Sequence, residues 1–119
     1  MSSEIAEKLE RRALQNFMDI LMLAEMKKEG SLSGYDVICL IHKKFGVLMS
    51  SGTVYSLLYS LEREGLITGV WNNRKRVYEL SERGEQNIKV ITNANDAVQN
   101  FLRDLSLLNA NSHAKQISI

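Results

Sequence analysis

The chain has 119 residues, of which 45% are hydrophobic, and a formal net charge of +1. That length predicts one domain with a modest core that self-association would help to stabilise, and the apolar content excludes disorder along the whole chain. A charge so near zero excludes attraction to nucleic acid by total charge, so any such surface must come from where the cations sit. Proline is absent and glycine sparse, with 7 residues, which predicts a mainly helical chain with few long loops. The single cysteine, Cys39, excludes an internal disulfide. It falls in an apolar helical run and reads as a small buried residue in a reducing cytosol. The charged N-terminus has no signal-peptide core, and no run approaches the ~20 apolar residues that span a bilayer. A cytoplasmic protein is expected.

In chain order, residues 4–29 have the period of one long helix, charged at first and then apolar on nearly every side, with Gly30 as its stop. Met18, Met22 and Met26 form a stripe at four-residue spacing. Such a stripe either packs against another helix, the commoner use, or lines an adaptable effector pocket. Ser33 with Asp36 has the outline of a capping box. It opens a helix through Val37, Ile38, Leu40, Ile41 and Phe45 that Gly46 ends.

Ser50 or Ser51 then caps a second short helix, in which Val54, Leu57, Leu58 and Leu61 make the apolar stripe and Gly65 the close. The opposite face carries Gly52, Ser56, Tyr59 and Arg63, flanked by Thr53, Ser60 and Tyr55. A solvated face normally carries Glu and Lys. One built of Gly, Ser, Thr and Tyr suits close docking against something polar. Two β-type runs follow, residues 66–71 and 77–80, joined by Asn72-Asn73-Arg74-Lys75-Arg76. The asparagines supply turn chemistry, and three crowded cations at a hairpin tip are placed to reach phosphates.

Ser81 caps a last helix. Along it Ile88, Ile91, Asn95, Val98, Leu102 and Leu105 alternate steps of three and four, a coiled-coil seam with one polar residue, Asn95, to fix register. With Phe17 and Leu21 these residues are the expected dimer interface. The other use of that face is packing on the first helix of the same chain. Residues 110–119 read as a frayed polar tail.

The fold class is therefore mainly α with a small β-hairpin wing. A winged helix-turn-helix (residues 30–80) lies between long dimerisation helices (residues 4–29 and 81–109), in a single domain over residues 1–110. The expected DNA-binding set is Ser51, Gly52, Thr53, Tyr55, Ser56, Tyr59, Arg63, Asn73, Arg74, Lys75 and Arg76. Double-stranded DNA and a second copy of the chain are the expected partners. Lys43 and Lys44 are in reach of phosphate but read first as solvated charges. The reading from another class is a winged helix that docks a partner protein and ignores DNA. An enzyme is not expected, because His42 and His113 are far apart and no phosphate loop, metal-spaced cluster or nucleophile motif is present. No cofactor or metal is expected.

Four segments together resemble the PadR-like transcriptional regulators. They are Gly34-Tyr35, Gly52-Thr53-Val54-Tyr55 with Leu58, the run from Leu61 to Leu66, and the run from Arg76 to Gly84. The resemblance covers about residues 17–90. It implies a winged-helix dimer that binds an operator, usually as a repressor, with the C-terminal helix packed on the partner's first helix. It also implies that Thr53 and Tyr55 meet DNA and that Arg74, Lys75 and Arg76 lie on the wing. Ser56 stands where the family often has proline. A single C-terminal helix matches the smaller subgroup. Members that bind drugs between subunits can use a tryptophan in the last helix, whereas Trp71 here lies on the wing strand. A small-molecule effector is compatible with the family but not indicated.

Overall fold

The computed structural model describes residues 2–117. The elements run α1 (Ser2–Asn16), α2 (Met18–Glu29), β1 (Ser31–Ser33), α3 (Gly34–Phe45) and α4 (Ser51–Arg63), then β2 (Ile67–Asn72), β3 (Lys75–Leu80), α5 (Glu82–Gln86) and α6 (Ile88–Ile117). This is a mainly helical fold with a small antiparallel wing. The three strands lie in the order β1-β3-β2. Gly69 pairs with Tyr78 and Trp71 with Arg76, while Leu32 of β1 faces Tyr78 from the other side. β1, only three residues long, has no sequence signature of its own. Its pairing with β3 explains why the chain between α2 and α3 is extended.

The core gathers where α2, α4 and the wing meet. Met18, Leu21, Met22 and Met26 of α2 are buried with Val37 and Ile41 of α3, Val54, Leu58 and Leu61 of α4, and Ile67 and Tyr78 of the wing. The methionine stripe is therefore packing, and a pocket lined by it is ruled out: Met18, Met22 and Met26 are at most 1% exposed. Cys39 corrects the sequence reading, because it is exposed. It lies on the face of α3 away from the buried Val37 and Ile41.

Both long helices differ from expectation. The N-terminal one breaks at Phe17, whose φ of −105° and ψ of 12° leave the helical range. The break lets the Phe17 ring meet Phe101 of α6 edge-on at 6.2 Å. The C-terminal one breaks at Asn87 (φ −102°, ψ 10°) and divides into α5 and α6. The backbone stays helical to Ile117 where a tail was expected from residue 110. Residues 109–117 contain no glycine or proline to stop it. The side chains of 109–117, including His113, and residues 118–119 lie outside the described part. No helix among the described residues is long and apolar enough to cross a membrane.

The α6 seam is filled from within the chain. Ile91, Asn95, Val98 and Leu102 are buried, and Ile88 and Leu105 are partly buried. Their partners are α1 and α2 of the same chain. Leu21 is likewise in the core and Phe17 at its edge. Of the two uses expected for this face, packing within the chain is the one seen in a single subunit. Ile5 and Leu9 of α1 and Val90, Phe101, Leu107 and Leu108 of α6 remain exposed.

Candidate nucleic-acid interface

The helix-turn-helix is built by local chemistry. Ser33 Oγ accepts from the Asp36 amide while the Asp36 carboxylate accepts from the Ser33 amide, so the capping box that starts α3 is complete. The Ser33 backbone amide is the main cause that holds the Asp36 carboxyl below the usual carboxylate range, with the Ser33 hydroxyl and Lys75 adding to it against the effect of burial. Gly46 ends α3 in the left-handed region at φ 68°. Ser50, rather than Ser51, then caps α4 by accepting from the Thr53 amide. Its hydroxyl also donates to Thr53 Oγ1 at 2.8 Å. At the far end the Leu66 amide donates to the Leu61 carbonyl across Gly65, a Schellman closure that turns the chain sharply into β2.

α4 therefore lies with Val54, Leu58 and Leu61 inward and with Ser51, Gly52, Thr53, Ser56, Tyr59 and Arg63 exposed on the other side. Tyr55 is different. Its ring lies so close over Gly34 that a Cβ there would stand 2.4 Å from the ring, so Tyr55 is half-buried and locks α4 to the start of α3.

The glycine at 52 has the opposite surroundings. A Cβ built on it meets nothing within 4 Å, and its φ is not in the left-handed region. A glycine inside a helix costs about 0.5–1 kcal/mol relative to alanine. Nothing within the fold requires that sacrifice, so the smoothness faces outward.

The three cations of the wing separate into two groups. Arg76 reaches back from β3 and donates to Glu62 Oε2 of α4 at 2.7 Å, and the Gly69 amide donates to the same oxygen at 3.1 Å. The Arg76 guanidinium also stacks over the Tyr78 ring at 5.6 Å. A side chain at position 69 would collide with it, since a Cβ there would be 2.4 Å from Arg76 Nε. Arg76 thus pins the wing to α4, and the expectation that it belongs with the tip cations is corrected. Sequence separation explains the miss: its partner is fourteen residues away along the chain. Lys75 lies 3.9 Å from Asp36, an exposed and weak pair. Arg74 makes no ion pair among the described residues, and it stands in the turn with Asn73, which takes the positive φ of 60° that asparagine tolerates.

The side chains facing the gap between α4 and the wing are aromatic as well as cationic. Tyr35, Tyr55, Tyr59, Trp71 and Tyr78 line it together with the tip cations. Burial raises the Tyr78 hydroxyl above the ordinary phenol range, and a hydrogen bond with the Cys39 thiol does so for Tyr35. Glu62, Gly69, Tyr35 and Trp71 were not among the site residues expected from the sequence. The available signal was strand parity: Gly69 and Trp71 share the face that carries Ile67 into the core. Among the described residues no group of three His, Cys, Asp or Glu side chains is placed to hold a metal ion.

Comparison with known proteins agrees with this geometry. The family model described as "Transcriptional regulator PadR-like family" matches residues 20–90. No curated protein matches the chain. Among solved structures it is similar to a PadR-like transcriptional regulator from Bacillus cereus, at 19% identity over 79% of this chain and 95% of that one, with a TM-score of 0.65. A transcriptional regulator from Clostridium thermocellum is similar at 20% identity, over 76% and 91%, with a TM-score of 0.61. A PadR family transcription regulator from Clostridium difficile follows at 18% identity, over 74% and 96%, with a TM-score of 0.60. At such identities the likeness to these structures is one of fold.

Proposed function

Because the chain belongs to the PadR-like family of transcriptional regulators, and so is a DNA-binding regulator and not an enzyme, we propose that it is a cytoplasmic repressor. In this reading it acts as a homodimer on a two-fold symmetric operator. α4 enters the major groove and the tip of the wing reaches the neighbouring backbone or minor groove. Ser51, Thr53, Ser56 and Tyr59 offer hydroxyls to bases and phosphates, Arg63 offers a guanidinium, and Arg74 and Lys75 supply the counter-charge at the tip. Hydroxyls discriminate bases weakly, so groove shape and half-site spacing carry much of the specificity. Two recognition helices about 34–36 Å apart fit successive major grooves.

The observation that carries the reading is Gly52, an exposed helical glycine with open space beyond it. It lets the backbone of α4 approach a groove floor. Replacing it by leucine separates fold from function: Gly52→Leu keeps or gains thermal stability, because it removes a helical glycine without a clash. The same variant loses at least tenfold in duplex affinity by mobility shift against sites selected from a random pool. Unchanged affinity would take α4 out of the groove.

The dimer draws support from the exposed apolar side chains of α1 and α6, Phe101 and Leu108 among them, which are 49% and 59% exposed. Sedimentation at micromolar concentration tests it. A single subunit there would remove the two-fold operator from the proposal.

A further inference from the structure

We propose that the cleft between α4 and the wing also binds single-stranded DNA, its unpaired bases stacking on Trp71 and the tyrosine rings beside it. The cleft encloses about 440 Å³, within the range of small-ligand sites. Two of its rings are engaged inside the fold, Tyr55 against Gly34 and Tyr78 beneath Arg76. The rest are open: Trp71 is 69% exposed, Tyr35 67% and Tyr59 50%. Trp71 and Tyr35 have no ring or cation partner among the described residues. An indole exposed to that extent leaves at least one face uncovered.

A duplex has little use for such faces. Its bases are already stacked and present only their edges and the sugar-phosphate backbone. An unpaired base has two free faces, and stacking one on an aromatic side chain strengthens binding roughly five- to hundredfold. Arg74 and Lys75 at the mouth of the cleft supply the charge that follows a strand's phosphates. Open rings flanked by cations complement an unpaired strand better than an uncharged apolar partner. The site shares the tip cations and Tyr59 with the proposed duplex interface but draws on ring faces that a paired strand leaves idle.

Trp71 is the only tryptophan of the chain and reports on its own occupancy. A thymidylate dodecamer added to the full chain at about 0.3 M salt, where phosphate attraction is strongly screened, should quench its fluorescence saturably. The dodecamer should bind at least tenfold tighter than a duplex of equal length, read by anisotropy of labelled strands. Trp71→Ala, at an exposed position, should lose roughly five- to hundredfold in single-strand affinity. Duplex affinity should change less than threefold, and Trp71→Phe should retain most of the single-strand binding. Absence of quenching would overturn the proposal. So would equal binding by an abasic strand of the same length, or equal losses for single strand and duplex in Trp71→Ala. Failure of the duplex alone to bind would count against the proposed operator function and leave the single-strand site standing.

Discussion

The root and the tip of the wing are built from the same residue types and do different things. At the root Arg76 is half-buried, bonded to Glu62 and stacked on Tyr78, and Gly69 is bare so that the guanidinium can lie across it. At the tip Arg74 and Lys75 stand in solvent, the first without an ion pair among the described residues and the second with a weak one. Three cations adjacent in sequence thus include one that fixes the angle of the hairpin and two that are available to a ligand. A run of charge cannot be read as a unit. Alternation along a strand sends neighbours to opposite faces, and the face turned toward α4 is the one that meets Glu62.

That contrast is broken most severely at the root. Tyr78→Ala empties a site that is 1% exposed, and it should cost about 3–5 kcal/mol in denaturant unfolding, with DNA binding abolished as the wing detaches. Glu62→Ala should cost about 1.5–3 kcal/mol, since it strands a charged donor and a backbone amide together. It should also weaken duplex binding although Glu62 itself would repel phosphate. Stronger binding in that variant would show the wing to be held by other means.

A smaller effect is expected where the tip meets α3. Ser33→Ala removes half of the capping box and should cost about 1 kcal/mol. Asp36 has a folded pKa below its unfolded value. Its contribution is therefore present above the unfolded pKa of about 4 and is lost as pH falls through the lowered folded value. Asp36→Asn should flatten the acid limb of a stability-against-pH curve below about pH 4, and an unaltered limb would assign that limb to other groups. The tip itself should matter least to the fold. Arg74→Ala with Lys75→Ala should move stability by less than about 0.5 kcal/mol. The same pair should reduce the slope of log affinity against log salt by about 0.9 for each phosphate that each subunit no longer neutralises. An unchanged slope would remove the tip from binding.

Much of the central unit was legible in the sequence because its signals are local. Caps at Ser33 and Ser50, stops at Gly46 and Gly65, and the apolar stripe of α4 each act within a few residues, and each is found in the fold. The polar face of α4 followed from the same periodicity. What escaped depends on distant partners. The period of the long helices continues through Phe17 and Asn87, so nothing in it marks the breaks. The regular seam of α6 is equally compatible with a partner in the same chain or in another, and only the placement of α1 and α2 decides between them. Arg76 looked like its neighbours until Glu62 and Gly69 were brought beside it.

The anchorage at Glu62 has one more consequence. It ties the hairpin to the last turn of the same helix whose first turn carries Gly52. Probe and finger thus form the two jaws of a calliper whose opening is set before any encounter. If α4 and the wing dock on DNA as proposed, little ordering has to accompany docking, and such a tool would reward sites already near the matching width over those that must be bent to fit.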